Sequence, residues 1–334
     1  MKIGIVGLGY WGPNLVRNFL AAPMVDGVIV FDQQPKKMER ILKRFPGIEA
    51  CESFEKLIAR TDIQGVAIAT PVSTHYELGM KVLQSGKHLL IEKPMCATVK
   101  EAITLAEFAE RHDLIILIDH TFVYTGAVQK IRELITNNTL GDLLYFDSVR
   151  INLGLFQHDT NVIWDLAPHD VSIMRYLIDD KPASVSAIGV NHYNGFDDMA
   201  YITVQHTKKL MSHFHVNWLS PVKIRRILIG GNKHMVVYDE MNTDEKVRVY
   251  DKGVEITSEE SIYTTLIQYR IGDMHAPKIE EAEALSSMIS DFIKSILEKG
   301  APITDAKFGV AVMRVLEAAD NSLKSGGKTI SIED

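Results

Sequence analysis

The first 32 residues constrain this chain more than any other stretch. An apolar run, Ile3-Gly4-Ile5-Val6, enters Gly7-Leu8-Gly9-Tyr10-Trp11-Gly12; a helical run follows from Asn14 to Leu20, and a second apolar run from Val28 to Phe31 stops at Asp32. Strand, tight turn, helix, strand and acid in that order open a dinucleotide-binding βαβ unit. Gly7 permits the turn, Gly9 lets the main chain approach a pyrophosphate, and Gly12 lets helix pack on strand, while the helix N-terminus offers N–H groups to the anion. Leu8, Tyr10 and Trp11 complete the turn. Pro13 occupies a first-turn position, where its missing donor costs nothing. Asp32 stands about 20 residues past the last glycine, where an acid meets the ribose hydroxyls. A carboxylate there repels a 2′-phosphate, so the reading is NAD(H) rather than NADP(H), with Lys36 and Lys37 the cations that would neutralise such a phosphate.

With 334 residues the chain is longer than one core usually supports, which predicts two domains. A formal charge of −7 without a basic run argues against a nucleic-acid partner. Cys51 and Cys96 form neither a C-x-x-C motif nor a disulfide framework, and suit a reducing cytoplasm. Glycines and Arg17 interrupt the N-terminal apolar stretch, which excludes a signal peptide on this reading. No run reaches the roughly 18 apolar residues of a membrane span.

To about residue 120 the pattern alternates strands (2–6, 27–31, 65–69, 88–91, 115–119) with helices (13–21, 35–44, 73–84, 98–112). Continuous apolar strands such as Val66–Ala69 and Ile115–Ile118 predict a doubly wound parallel sheet covered on both faces, with ligands at the C-terminal strand ends. A helix near 124–136, a strand near 143–151 and a helix near 161–178 come next. Alternating strands near 183–192, 199–206, 210–217, 223–230, 234–239 and 246–250, with turns at Asn194-Gly195 and Gly230-Gly231, predict an open-faced, mostly antiparallel sheet in an α+β domain. Helices near 279–298 and 305–323 close the chain.

Glu92-Lys93-Pro94 follows the strand ending Leu89-Leu90-Ile91, which puts a lysine at the lip of the cofactor crevice. Pro94 biases Lys93 toward extended geometry, and partial burial beside a cationic nicotinamide favours acid/base use of the amine. Asp165 and His169 are four apart on a predicted helix, so carboxylate and imidazole share a face as a prospective acid/base pair. Pro168 between them predicts an irregular turn. Arg150 and Asn152, and the loop from Gly154 to Asn161, lie just before that helix and are candidates to reach substrate; Arg175, Arg225 and Arg226 are candidates for a diphosphate, with surface placement the plainer reading. Trp164 and Tyr124 border the site, and Tyr124 is a further substrate candidate. His206, His213 and His215 read as hydrogen-bonded strand residues rather than a metal site.

Gly7-x-Gly9-x-x-Gly12, Glu92-Lys93-Pro94 and Asp165-x-x-x-His169 together make the chain resemble the Gfo/Idh/MocA oxidoreductase family over essentially its whole length. The resemblance implies an N-terminal Rossmann domain, residues 1–121, with a C-terminal helix at 303–324 returning to it. A substrate-binding and oligomerisation domain would span 122–302. It implies that Lys93 and His169 line the site beside the nicotinamide with Asp165 as the accompanying carboxylate, and that the Lys93–Pro94 bond is cis. The family segment T-P-N-x-x-H appears here as Thr70-Pro71-Val72-Ser73-Thr74-His75, so Thr70, Pro71 and His75, with Glu92, are implied cofactor contacts, and the missing asparagine puts one contact in doubt. Asp119-His120-Thr121-Phe122-Val123-Tyr124 and Trp164–Asp170 look like members that oxidise nucleotide sugars, such as UDP-N-acetylglucosamine or its uronic acid, at C3. The implied activity is an NAD(H)-dependent sugar oxidoreductase. A keto-sugar reductase, a free sugar or inositol dehydrogenase, and a non-catalytic NAD-binding sensor are the alternatives. Relatives cover the open sheet by forming dimers or tetramers, which implies a homo-oligomer here.

Overall fold

The computed structural model describes residues 1–154, 160–193, 195–255 and 268–332. Asn194 and most of the 154–161 loop therefore lie outside the described residues. The chain divides into two compact units, residues 1–124 with 282–314, and 125–281 with 315–334.

The first unit is a parallel six-stranded sheet. Its strands are β1 (Lys2–Val6), β2 (Gly27–Phe31), β3 (Glu49–Ala50), β4 (Ile63–Ile68), β5 (His88–Glu92) and β6 (Ile116–Asp119), in the order β3-β2-β1-β4-β5-β6. The order reverses between β1 and β4, and the crevice at such a reversal is where ligands gather in doubly wound sheets. Helices α1 (Gly12–Ala21), α2 (Pro35–Arg44), α3 (Phe54–Ala59), α4 (His75–Gln84) and α5 (Val99–Arg111) connect the strands. A capping box between Thr98 and Glu101 starts α5.

Helix α8 (Ala284–Glu298) groups with this unit. Its Phe292 meets Phe19 of α1 edge-on and fills the space that Gly65 leaves on β4. The segment after α8 runs along β6, where Ile118 N donates to Thr304 O and Leu117 pairs with Asp305. An edge strand that would present unpaired main chain is thereby covered.

The second unit is built on a nine-stranded sheet of order β14-β13-β12-β11-β7-β10-β9-β8-β15. These strands are β7 (Leu143–Leu153), β8 (Pro182–Val190), β9 (Met199–His206), β10 (Met211–Asn217), β11 (Leu219–Gly231), β12 (Met235–Asp239), β13 (Val247–Glu255), β14 (Gln268–His275) and β15 (Ile330–Ser331). All pairs are antiparallel except β7 with β10. Gly230 and Gly231 end β11 rather than forming a turn by themselves. Alternation decides the faces: Ser212, Phe214 and Val216 of β10 are buried, whereas Met211 is exposed and His213 and His215 are half-buried around Tyr201. Helices α6 (Gly126–Thr136) and α7 (Val162–Leu177) complete the core, and α9 (Ala306–Lys324) closes the chain's helices.

Helix α7 runs without a break through Pro168, so the irregular turn expected there does not form. Proline removes only one main-chain donor, and Ala167, Pro168 and Val171 are buried, so packing offsets the lost bond. Asn161 caps the helix, its Oδ1 accepting from Ile163 N at 3.1 Å and Trp164 N at 3.2 Å.

Candidate active site

In the first unit the site begins at the glycine turn after β1. Gly7 has φ +95°, and a Cβ on it would run into the carbonyl of Ala69; a Cβ on Gly12 would run into the carbonyl of Gly7. A Cβ on Gly9 would meet nothing within 4 Å. Two glycines thus close the turn, and the third leaves its main chain open to a ligand. Asp32, just past β2, holds the turn from one side: its Oδ2 accepts from Leu8 N at 2.7 Å and its Oδ1 from Gln34 N at 2.8 Å. Lys37 Nζ stands 3.9 Å from that carboxylate. Tyr10, 93% exposed, projects from the turn. Open main chain at a helix start, with a carboxylate that keeps free lone pairs, fits the pyrophosphate and ribose of a nicotinamide dinucleotide.

The loops after β4 and β5 are tied together beneath this turn. His75 is 1% exposed, and its ring nitrogens lie 2.9 Å from Thr70 O and 2.9 Å from Pro94 O. Burial pushes its pKa down, so the neutral ring donates to one carbonyl at a time. The His75 ring joins the loops that carry Thr70 and Lys93. Thr70 Oγ1 bonds Thr74 Oγ1 at 2.7 Å, and Pro71 O accepts from Thr74 N at 2.9 Å, which fixes the short turn before α4. The Lys93–Pro94 peptide is cis.

Glu92 ends β5 opposite Asp119 at the end of β6. Burial, and then the neighbouring Asp119, push the Glu92 carboxyl well above the usual carboxylate range, with Lys93 acting in the opposite sense. Asp119 accepts from Trp11 Nε1 at 2.6 Å and from the Thr121 amide at 3.2 Å, and also bonds the Thr121 hydroxyl. The adjacent His120 is buried against Phe308, and desolvation holds its pKa down to about 3.

Tyr124 lies in the first unit, 5% exposed. Its hydroxyl donates to Asp291 Oδ2 at 2.7 Å and lies 3.2 Å from Thr304 Oγ1. The hydroxyl anchors the segment between α8 and α9 through those two partners.

In the second unit Asp165 and His169 share one face of α7, as their spacing requires. Asp165 Oδ2 accepts from the buried Trp218 indole at 2.9 Å. A Cβ on Gly154 would stand 3.0 Å from both the Trp218 ring and Asn152 Nδ2, so Asn152, Trp218 and Asp165 form one neighbourhood. Arg150 does not join them at the surface. It is 2% exposed and gives a two-pronged contact to Asp170, Nε at 2.9 Å and Nη2 at 2.8 Å, with Glu240 at 3.6 Å. The expected substrate arginine is thus buried in an ion pair, because position 150 on β7 faces α7. Arg225 pairs with Glu240 and Arg226 with Asp239. Glu240, Asp291 and Thr304 carry no sequence signal of their own, since each acts through a partner distant in sequence.

Among the described residues no helix is long and apolar enough to cross a membrane. Residues 1–120 match the family model described as "Oxidoreductase family, NAD-binding Rossmann fold", and residues 128–237 match the GFO/IDH/MocA C-terminal domain. The chain is 27% identical to a UDP-N-acetylglucosamine 3-dehydrogenase of Acidithiobacillus ferrooxidans, over 96% of this chain and 95% of that one. It is 24% identical to a scyllo-inositol 2-dehydrogenase (NADP(+)) of Bacillus subtilis, over 100% and 96%. The solved structure of the Acidithiobacillus ferrooxidans enzyme superposes with a TM-score of 0.81 at 22% identity, covering 97% of this chain and 98% of that one. With both halves matched in order and the glycine turn built to receive a dinucleotide, the chain belongs to the Gfo/Idh/MocA family of NAD-binding oxidoreductases.

Proposed function

We propose that this protein is an NAD(H)-dependent sugar oxidoreductase that oxidises a ring carbinol of a nucleotide sugar at the 3-position or reduces the corresponding ketone. The reading rests on the Asp165–His169 face of α7, and Lys93, just past β5, is brought in by the family resemblance. The likeness to a UDP-N-acetylglucosamine 3-dehydrogenase over nearly the full length supports the substrate class. Bound NAD supplies the hydride acceptor, or the donor in reverse. His169 takes the hydroxyl proton, with Asp165 on its own helix face orienting or charging the imidazole. Lys93 donates to the oxygen as negative charge develops on it. Gly9, Tyr10 and Asp32 hold the dinucleotide, and the Asp32 carboxylate favours NAD over NADP by repelling a 2′-phosphate.

Nicotinamide absorbance, followed with NAD⁺ or NADH and a panel of nucleotide sugars, free sugars and inositols, tests the reading. Turnover should be confined to nucleotide sugars. Lys93→Met and His169→Asn should each lower kcat by about 10²- to 10⁴-fold, the usual worth of a positioned acid/base group, with NAD still bound. Turnover only on free polyols would discard the nucleotide sugar, and undiminished turnover in Lys93→Met would remove the role given to that lysine. NAD binding with silence across the panel would favour a sensor.

A further inference from the structure

The glycine turn is held from two sides by acids that end strands. Asp32 grips it through the Leu8 amide. Asp119 grips it through the Trp11 indole at 2.6 Å, a contact between residues 108 apart that no motif encodes. Trp11 immediately precedes α1, so whatever fixes Trp11 fixes the start of the helix whose main chain faces the anion.

Asp119 is 3% exposed, and its register partner Glu92 is packed beside it. Glu92 Oε2 accepts from Lys93 N at 3.1 Å, while Oε1 is buried without a protein partner of ordinary hydrogen-bond geometry. Asp119 also accepts from both Thr121 donors, so one buried carboxylate ties the Trp11 indole to the turn that follows β6.

We propose that Asp119 positions the cofactor turn by holding the Trp11 indole. It is a positioning residue and touches none of the reacting atoms. Trp11→Phe keeps the ring and removes the donor, and should weaken NAD binding by about tenfold, as loss of one charge-assisted hydrogen bond does. Asp119→Ala should weaken it by a similar or somewhat larger factor, and the double variant should be no weaker than Asp119→Ala alone, since both remove the same contact.

Titration calorimetry with NAD reads these affinities. A second readout needs no cofactor: the chain has 3 tryptophans, and Trp11→Phe assigns the Trp11 indole resonance in a ¹⁵N spectrum. That resonance should shift upfield in Asp119→Ala. Unchanged NAD affinity in Trp11→Phe, multiplying effects in the double variant, or an indole resonance indifferent to Asp119 would each overturn the proposal. Failure of the unchanged protein to turn over sugars bears on the proposed substrate and leaves both readouts intact.

Discussion

The glycine turn of the first unit and the Arg150 cluster of the second use charge in opposite ways. At the turn, Asp32 is anchored by neutral amide donors, with Lys37 no nearer than 3.9 Å, and its carboxylate keeps lone pairs free beside an open main chain. At Arg150 a full guanidinium is sealed against Asp170, both side chains 3% exposed. A carboxylate held by neutral donors stays available to a ligand, whereas a cation paired in the core has been spent on the fold.

The largest effect that would break this contrast lies at Arg150. Arg150→Met should lower stability by about 3–5 kcal/mol, because Asp170 is left charged and buried without its partner. Arg150→Met combined with Asp170→Leu should recover most of the loss, since apolar replacement of a buried pair is often neutral. Denaturant unfolding of the two variants measures it. A stable Arg150→Met protein whose only defect is a raised KM for sugar would return Arg150 to the substrate and erase the distinction between the clusters.

The same contrast separates what was legible in the sequence from what was not. Gly7, Gly9, Gly12 and Asp32 lie within one contiguous strand–turn–helix–strand unit, so spacing alone sets their geometry, and Glu92-Lys93-Pro94 and Asp165-x-x-x-His169 are legible for the same reason. The pairing of Arg150 with Asp170, of Trp218 with Asp165 and of Trp11 with Asp119 depends on which strands become neighbours. Local pattern carries no record of that. The parallel β7–β10 pair inside an otherwise antiparallel sheet is of the same kind. Pro168 misleads in the other direction, because propensity marks a break where the buried face of α7 keeps the helix whole. The return of α8 to the first unit is likewise written in Phe292, Phe19 and Gly65, three residues that look like any core positions until they meet.

Within the turn itself, Gly7 and Gly9 sharpen the comparison at a smaller scale. Gly7→Ala must adopt a positive φ and clear the Ala69 carbonyl, and should cost about 1–3 kcal/mol of stability along with NAD binding. Gly9→Ala has open space for its methyl, so its thermal midpoint should stay unchanged while NAD affinity falls about tenfold, because the methyl occupies ground that the pyrophosphate needs. Thermal unfolding and calorimetry on the same samples separate the two. If Gly9→Ala bound NAD normally, the open side of the turn would not be the side that meets the cofactor.

The smallest expected effect is at Tyr124, and it decides whether a residue at the edge of the first unit belongs with the turn or with the fold. Its hydroxyl is bonded to Asp291 and lies near Thr304, while Asp291 also accepts from Ile303 N at 2.8 Å and Thr304 Oγ1 donates to Ile118 O at 2.7 Å. Burial, with Asp291 alongside, pushes the phenol's pKa up, so it remains a neutral donor across the working range. Tyr124→Phe deletes one donor from partners that keep others, and should cost about 1 kcal/mol, the net worth of one hydrogen bond. Steady-state kinetics should show kcat and KM for the sugar within about twofold of the unchanged protein, since that hydrogen-bond loss falls on stability rather than on catalysis. A tenfold rise in KM without loss of stability would instead mean that the hydroxyl leaves Asp291 for the substrate.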